Sequence, residues 1–294
     1  MVHPVSVTLD VEDLRPSPDL PERAVVMTHR VLDLFAEFDI RASVYVVADL
    51  AERRPELVRR AATEGHEVGL HGHAHVPLPV VGETLFTEAT RSARSLLQDL
   101  SGQPIDGYRA PMMSLVPASS WAVPILAELG FTYSSSTLPA PSPLYGWPGL
   151  PRRAFRWSAG PVELPCPLVR IPLLDLPYLG GTYLRLLPDA VRRHGQRRAG
   201  PDEVLWTYCH PWEFDPDEPY HPHDHIGTVA SRIAWLRRTH MERRVRRLLA
   251  EPVAAPLGER VEAIAASDLP VVDHSQPPTL GRVARLANGR LRSG

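Results

Sequence analysis

The chain of 294 residues contains no lysine, so all 32 of its basic residues are arginine, and Asn288 is its single asparagine. Without a lysine amine, Schiff-base and lysine-base chemistry are excluded, and any positive charge at a site must come from arginine, histidine or a metal ion. Cysteine is scarce as well. Cys166 and Cys209 are too few for a disulfide framework and fit no zinc-ribbon spacing, which predicts free thiols in a reducing compartment. No apolar run approaches the ~20 residues that cross a bilayer, and MVHPVSVTLDVEDL lacks the basic and apolar regions of a signal. A cytoplasmic protein with no membrane span is therefore expected. A formal net charge of -2 supplies no basic field for nucleic acid. The arginine bias, with 32 prolines, reads as the composition of a high-GC genome and by itself assigns no chemistry.

What is present is globular: 44% hydrophobic, 22% charged, and long enough for one large α/β domain or two small ones. Val5, Val7, Leu9 and Val11 alternate with Ser6, Thr8, Asp10 and Glu12, the period of a strand. Helical patterns over 22–38, 50–64, 85–100 and 119–129 then interleave with strands over 42–47, 67–70, up to Arg109, and 131–134. Residues 137–176, rich in Pro, Gly and Trp, read as loops or short edge strands. A helix over 187–197, a strand over 204–210, a loop over 211–225, a helix over 228–249 and a strand and helix within 253–266 follow. The alternation predicts βαβ units with parallel strands. Six or more such units favour one barrel over residues 1–268 with an irregular tail over 269–294.

Four polar clusters sit at or just after predicted strand ends: Asp10-Val-Glu12-Asp13, His71-Gly-His-Ala-His75, Arg109-Ala-Pro111 and His210-Pro-Trp212-Glu213. In a parallel barrel those ends converge on one face, where active sites form. His71 and His75, four residues apart, can present two imidazoles to one ion, with a carboxylate of the first strand as third ligand and an open position left for water. Thirteen histidines will also give such a pair by chance, but the neighbouring acids favour a site; His73 is read as a bystander. Three clustered anions repel unless a cation neutralises them. Asp10 and Glu12 share one side of the strand, which makes Asp10 the base and Glu12 the favoured metal ligand, with Asp13 as the alternative.

Together these residues resemble the polysaccharide deacetylase family, the NodB-homology carbohydrate esterases, whose motifs are a first-strand acidic pair, H-x-x-x-H, R-x-P and a late strand ending in histidine. TLDVEDL at 8–14, YRAP at 108–111, LGGTYLRLLP at 179–188 and HPWEFDPDEP at 210–219 further resemble the subfamily associated with exopolysaccharide and exosortase loci. The likeness covers roughly residues 4–250. It implies a distorted (β/α) barrel with fewer than eight strands and metal-dependent removal of an N-acetyl group from an amino sugar. By motif, Asp10 matches the catalytic base, His71 and His75 the metal ligands, His210 the general acid, Arg109 the arginine holding the base, and the Met112 N–H the oxyanion donor. The pattern departs at Tyr133, where Ser134, Ser135 and Ser136 stand in place of Asp-Ser-Ser, and at Met112 and Met113.

Amide hydrolysis suits this set. A divalent ion activates water and polarises the acetyl carbonyl, Asp10 takes a proton, fixed donors stabilise the oxyanion, and His210 protonates the leaving amine. Zn²⁺ is the expected cofactor, with Co²⁺ or Ni²⁺ compatible with the same ligands. The expected partner is an N-acetylated sugar: polymer, oligosaccharide, or a nucleotide-, lipid- or antibiotic-linked amino sugar. Trp212 reads either as a wall of the substrate pocket or as packing. Other readings are hydrolysis of a different non-peptide C–N bond and a non-catalytic carbohydrate-binding relative. Arg185 is as well explained by a structural ion pair as by a substrate contact, the arginines at 237–247 as a solvated face, and Cys209 as a buried thiol facing away from His210.

Overall fold

The computed structural model describes residues 2–172, 174–222 and 227–276. β1 (Val5–Ser6) and β2 (Thr8–Val11) form the first stave, followed by β3 (Ser43–Val46), β4 (Glu67–Leu70), β5 (Gly107–Tyr108) and β6 (Tyr133–Ser134). β7 (Phe155–Trp157), β8 (Val162–Glu163), β9 (Leu168–Ile171) and β10 (Leu174–Pro177) come next, then β11 (Val253–Ala254) and β12 (Val271–Val272). Parallel pairing runs β2-β3-β4-β5-β6-β8, and residues 206–209 bridge the other side of the first stave through Ser6 to Trp206 and Leu9 to Cys209. The fold is thus a distorted (β/α) barrel with fewer than eight parallel strands among the described residues.

Side-chain alternation sorts the staves into two cores. Val5, Val7, Leu9, Val11, Val44, Val46, Val68 and Leu70 point outward and join Val31, Phe35, Leu57 and Leu97 of the surrounding helices in the main apolar cluster. Each such burial contributes about 1.5–3 kcal/mol. The opposite row faces a second cluster containing Tyr45, Tyr133, Val162, Leu164 and Trp206. Two glycines make room for the tyrosines. A Cβ on Gly69 would meet the Tyr45 ring at 2.6 Å, and one on Gly107 would collide with the Tyr133 phenol. Tyr45 and Tyr133 join hydroxyls at 2.8 Å, and Tyr133 donates onward to half-buried Glu67.

Several boundaries depart from expectation for local reasons. The helix expected over 50–64 is two, Ala48–Arg53 and Pro55–Thr63, because a proline cannot continue the first. The helix expected over 228–249 is also two, Gly227–Trp235 and Met241–Leu249, broken where Arg237 turns left-handed at φ 56. The 137–176 stretch supplies β7 to β10, of which β8 is a stave of the barrel. The tail expected to be irregular from 269 instead pairs Val271 and Val272 with β7, and its last residues, 277–294, lie outside the described residues.

Candidate metal and acid–base site

The first stave carries Asp10 and Glu12 on its inner side, both buried. His71 follows β4 directly. Gly72 then takes φ +76, and a Cβ there would meet the Pro111 ring at 3.1 Å, so the H-G-H sequence lets the Arg109-Ala-Pro111 turn pack against the histidine loop. His75 itself is left-handed at φ 53, a conformation that costs a non-glycine residue about 1–3 kcal/mol and that turns its ring back toward Glu12.

Glu12, His71 and His75 offer ligand atoms that all lie within 4.8 Å of one another. Glu12 Oε2 is 2.5 Å from His75 Nε2 and 3.6 Å from His71 Nε2. His71 Nδ1 lies 3.0 Å from the Arg109 carbonyl, the contact that directs its Nε2 into the group. Glu12 Oε2 is buried and accepts no well-formed hydrogen bond. A buried carboxylate oxygen packed between two imidazole nitrogens fits a divalent cation, and this O,N,N donor set is of the kind that holds zinc. Burial alone would raise the Glu12 carboxyl, but His75, His210 and His71 outweigh it and hold it well below the usual range.

Asp13 is not brought to this group. Its carboxylate lies 2.9 Å from Arg15 Nε and 3.8 Å from Arg53, because one further residue along an extended chain turns it to the other side. The structure thus leaves Glu12 as the carboxylate among the histidines. His73 points away to Glu52 at 3.9 Å.

Asp10 faces the same group, 3.9 Å from His71 Nε2 and 3.9 Å from His210 Nε2. Arg109, fully buried, donates to Asp10 Oδ1 at 2.5 Å, to Thr8 Oγ1 at 2.6 Å and to Ser135 Oγ at 2.9 Å. Its guanidinium lies 4.0 Å from the Tyr45 ring centre and 4.3 Å from that of Trp206. The serines that interrupt the motif have defined partners: Ser136 Oγ accepts from the Ala110 N–H. Glu163, on β8, accepts from the backbone N–H groups of Ser136 and Thr137, so an acid reaches this loop from another strand. Met112, at φ 58, has no acceptor for its backbone N–H among the described residues, as an oxyanion donor requires.

His210 is held by a carboxylate that the sequence reading passed over. Glu213 Oε2 lies 3.0 Å from His210 Nδ1 and accepts the His210 N–H at 3.1 Å. Glu213 in turn faces the buried guanidinium of Arg185 at 3.3 Å, the structural ion pair already open to that residue. Burial would lower the His210 imidazole, but the anions of Glu12 and Glu213, the Glu213 hydrogen bond and Asp10 push it up to about 9. The His-x-x-Glu spacing, which closes on itself in the 3-10 turn Pro211–Phe214, was the available signal. Trp212, half-buried, lines a small pocket with Asp13, Arg23 and Trp235, while its indole N–H donates to Glu12 Oε1 at 2.8 Å and its ring stacks on His210. Cys209 is buried in the outer core, and burial raises its thiol well above its ordinary value.

Comparison with known proteins gives two family matches: polysaccharide deacetylase over residues 5–134, and a domain of unknown function, DUF3473, over residues 135–256. A putative polysaccharide deacetylase of Bacillus subtilis is 29% identical over 119 residues, 38% of this chain and 40% of that protein. A chitooligosaccharide deacetylase of Sinorhizobium fredii is 37% identical over 90 residues, 29% of this chain and 40% of that protein. The matches thus span about two fifths of these relatives' length. Among solved structures, a putative polysaccharide deacetylase from Mycobacterium smegmatis superposes with a TM-score of 0.60 at 21% identity, covering 96% of this chain and 94% of that one. PuuE allantoinase gives a TM-score of 0.54 at 18% identity, with 90% of each chain covered. Both show the shared fold.

Proposed function

From the match of residues 5–134 to the polysaccharide deacetylase model, we propose that the chain is a metal-dependent N-deacetylase that hydrolyses the acetamide of an N-acetylated amino sugar. One observation carries the reading: the Glu12, His71 and His75 group lies between a carboxylate fixed by a buried arginine, Asp10, and an imidazole fixed by a buried glutamate, His210. A binding protein has no use for a base, an acid and a cation site at one mouth. The catalytic unit spans both family regions, since His210 from residues 135–256 meets Asp10 and Glu12 from residues 5–134.

Glu12, His71 and His75 would hold the ion, most simply Zn²⁺. When bound, the ion supplies Lewis-acid polarisation of the acetyl carbonyl and makes water acidic. Asp10, oriented by Arg109, accepts a proton from the attacking water. The Met112 N–H, matched by the R-x-P motif, would donate to the developing oxyanion. His210, protonated at neutral pH, gives its proton to the departing amine, and Glu213 keeps the imidazole turned so that Nε2 faces the reaction. The HPWEFDP and LGGTYLRLLP phrases support a place in the exopolysaccharide-associated branch, acting in the cytoplasm on a sugar modified before export.

Acetate release from a panel of N-acetylated oligosaccharides and linked amino sugars, measured with added Zn²⁺, tests the reading. Release is expected from the parent and its loss from Asp10→Asn. Absence of bound divalent metal, together with an Asp10→Asn protein that behaves like the parent, overturns it.

A further inference from the structure

Trp212 combines contacts that a packing residue does not need together, among them the Arg185 guanidinium 5.6 Å from its ring centre. Its Nε1–H donates to Glu12 Oε1 at 2.8 Å. Its ring stacks on the His210 imidazole with 5.0 Å between centres and 14° between planes. On it also rests the Arg238 guanidinium, 4.9 Å from the ring centre, which is itself buried, stacked on Trp235 at 3.6 Å and bonded to Glu218 at 2.7 Å.

These contacts address a conflict built into the site. Glu12 is the anion wanted by the cation, yet His210, which must keep its proton for the leaving group, holds Nε2 only 4.0 Å from Glu12 Oε1. A carboxylate and an imidazolium that close, in a largely buried site, are drawn into a direct ion pair. Such a pair would swing Glu12 away from His71 and His75 and tie up the acid's proton. The indole N–H occupies Oε1 first, and with Oε1 capped, Oε2 remains turned between the two metal-side imidazoles.

Resting on the deacetylase reading above, we infer that Trp212 is a positioning residue that separates the metal ligand Glu12 from the acid His210, holding the carboxylate for the cation and leaving the imidazole proton for the amine. Its aromatic partners fix the ring in place, while the N–H performs the separation.

The test reads Zn²⁺ affinity, by competition with a chromogenic chelator, independently of turnover. Trp212→Phe, which keeps the stacked ring and removes the donor, is expected to weaken Zn²⁺ binding about ten- to hundredfold. Arg238→Met, which keeps the donor, is expected to bind within about threefold of the parent. Unchanged affinity in Trp212→Phe, or an equal loss in Arg238→Met, overturns the inference while leaving the deacetylase reading intact; a parent that binds no divalent metal overturns the inference, and overturns the deacetylase reading too where Asp10→Asn behaves like the parent. In the parent itself, one of the six indole N–H signals in a nitrogen-resolved NMR spectrum should move both on Zn²⁺ addition and in Glu12→Gln. If none moves in either case, the inference fails even where Trp212→Phe does not fold.

Discussion

The Glu213 carboxylate lies 3.0 Å from His210 Nδ1, three residues along the same turn and buried against Arg185. This contact both orients the imidazole and raises its affinity for a proton, and it persists whatever charge Glu12 shares with a cation. His210, raised above its ordinary value in part by Glu213, acts in its protonated form, so activity that depends on it is present at lower pH and lost as pH rises through its raised value. Glu213→Gln removes an anion that favours the imidazolium. The alkaline limb of the rate profile should therefore move toward neutrality by about one pH unit, equivalent to ~1.4 kcal/mol. The linked stability has the same sign: a group raised above its unfolded value near 6.5 stabilises fully below that value and loses its contribution toward pH 9. Melting of the metal-free protein should fall between pH 7 and 9, less steeply in the variant. An unmoved limb would remove Glu213 from this role.

How much of this was legible in the sequence follows from distance along the chain. The period-2 alternation at Val5–Glu12 fixed which side chains enter the barrel, and strand ends placed Asp10, His71, Arg109 and His210 at one mouth. The same parity explains why Asp13 turns to Arg15. The hydrogen-bond chain from Tyr45 through Tyr133 to Glu67 is not legible in the sequence because it crosses three staves and only the paired glycines, Gly69 and Gly107, hint at it. β8 was invisible because two residues are too few to show a period, and its Glu163 was therefore not connected to the serines at 134–136. The Arg185 and Glu213 contact joins a helix to a turn 28 positions later, a pairing that no local pattern encodes.

Gly69→Ala should report on the tight fit inside the barrel. The added methyl meets the Tyr45 ring at 2.6 Å, and that ring is the surface on which the Arg109 guanidinium rests. Overpacking of this kind costs about 1–3 kcal/mol. Urea denaturation should show that loss, and a second change, Tyr45→Leu, should recover part of it. Strictly additive losses would mean that the methyl is relieved elsewhere.

Arg109 and Asp10 should not be equivalent in stability although each is the other's partner. Arg109→Met leaves the Asp10 carboxylate buried without its cation, a change worth about 3–5 kcal/mol. Asp10→Asn leaves Arg109 with Thr8, Ser135 and two aromatic faces, so it should cost distinctly less while abolishing turnover. Denaturant midpoints of the two variants decide this, and equal losses would contradict the asymmetry.

Removal of metal should lower stability, and the choice between the two acids at 12 and 13 follows from which variant erases that effect. A ligand bound only by the folded state adds about 2.7 kcal/mol at a hundredfold excess over its dissociation constant. Zn²⁺ should therefore raise the melting temperature of chelator-treated parent protein, and Glu12→Gln or His75→Ala should abolish the rise, because each removes a donor from the group within 4.8 Å. Asp13→Asn should retain it. Its carboxylate belongs to the network of Arg15, Arg53 and Glu22, and the change should show only as the small loss typical of a partly exposed ion pair, up to about 1 kcal/mol. A Zn²⁺ shift that survives Glu12→Gln but disappears in Asp13→Asn would exchange the two residues' roles and require the first stave to turn by one residue at its end.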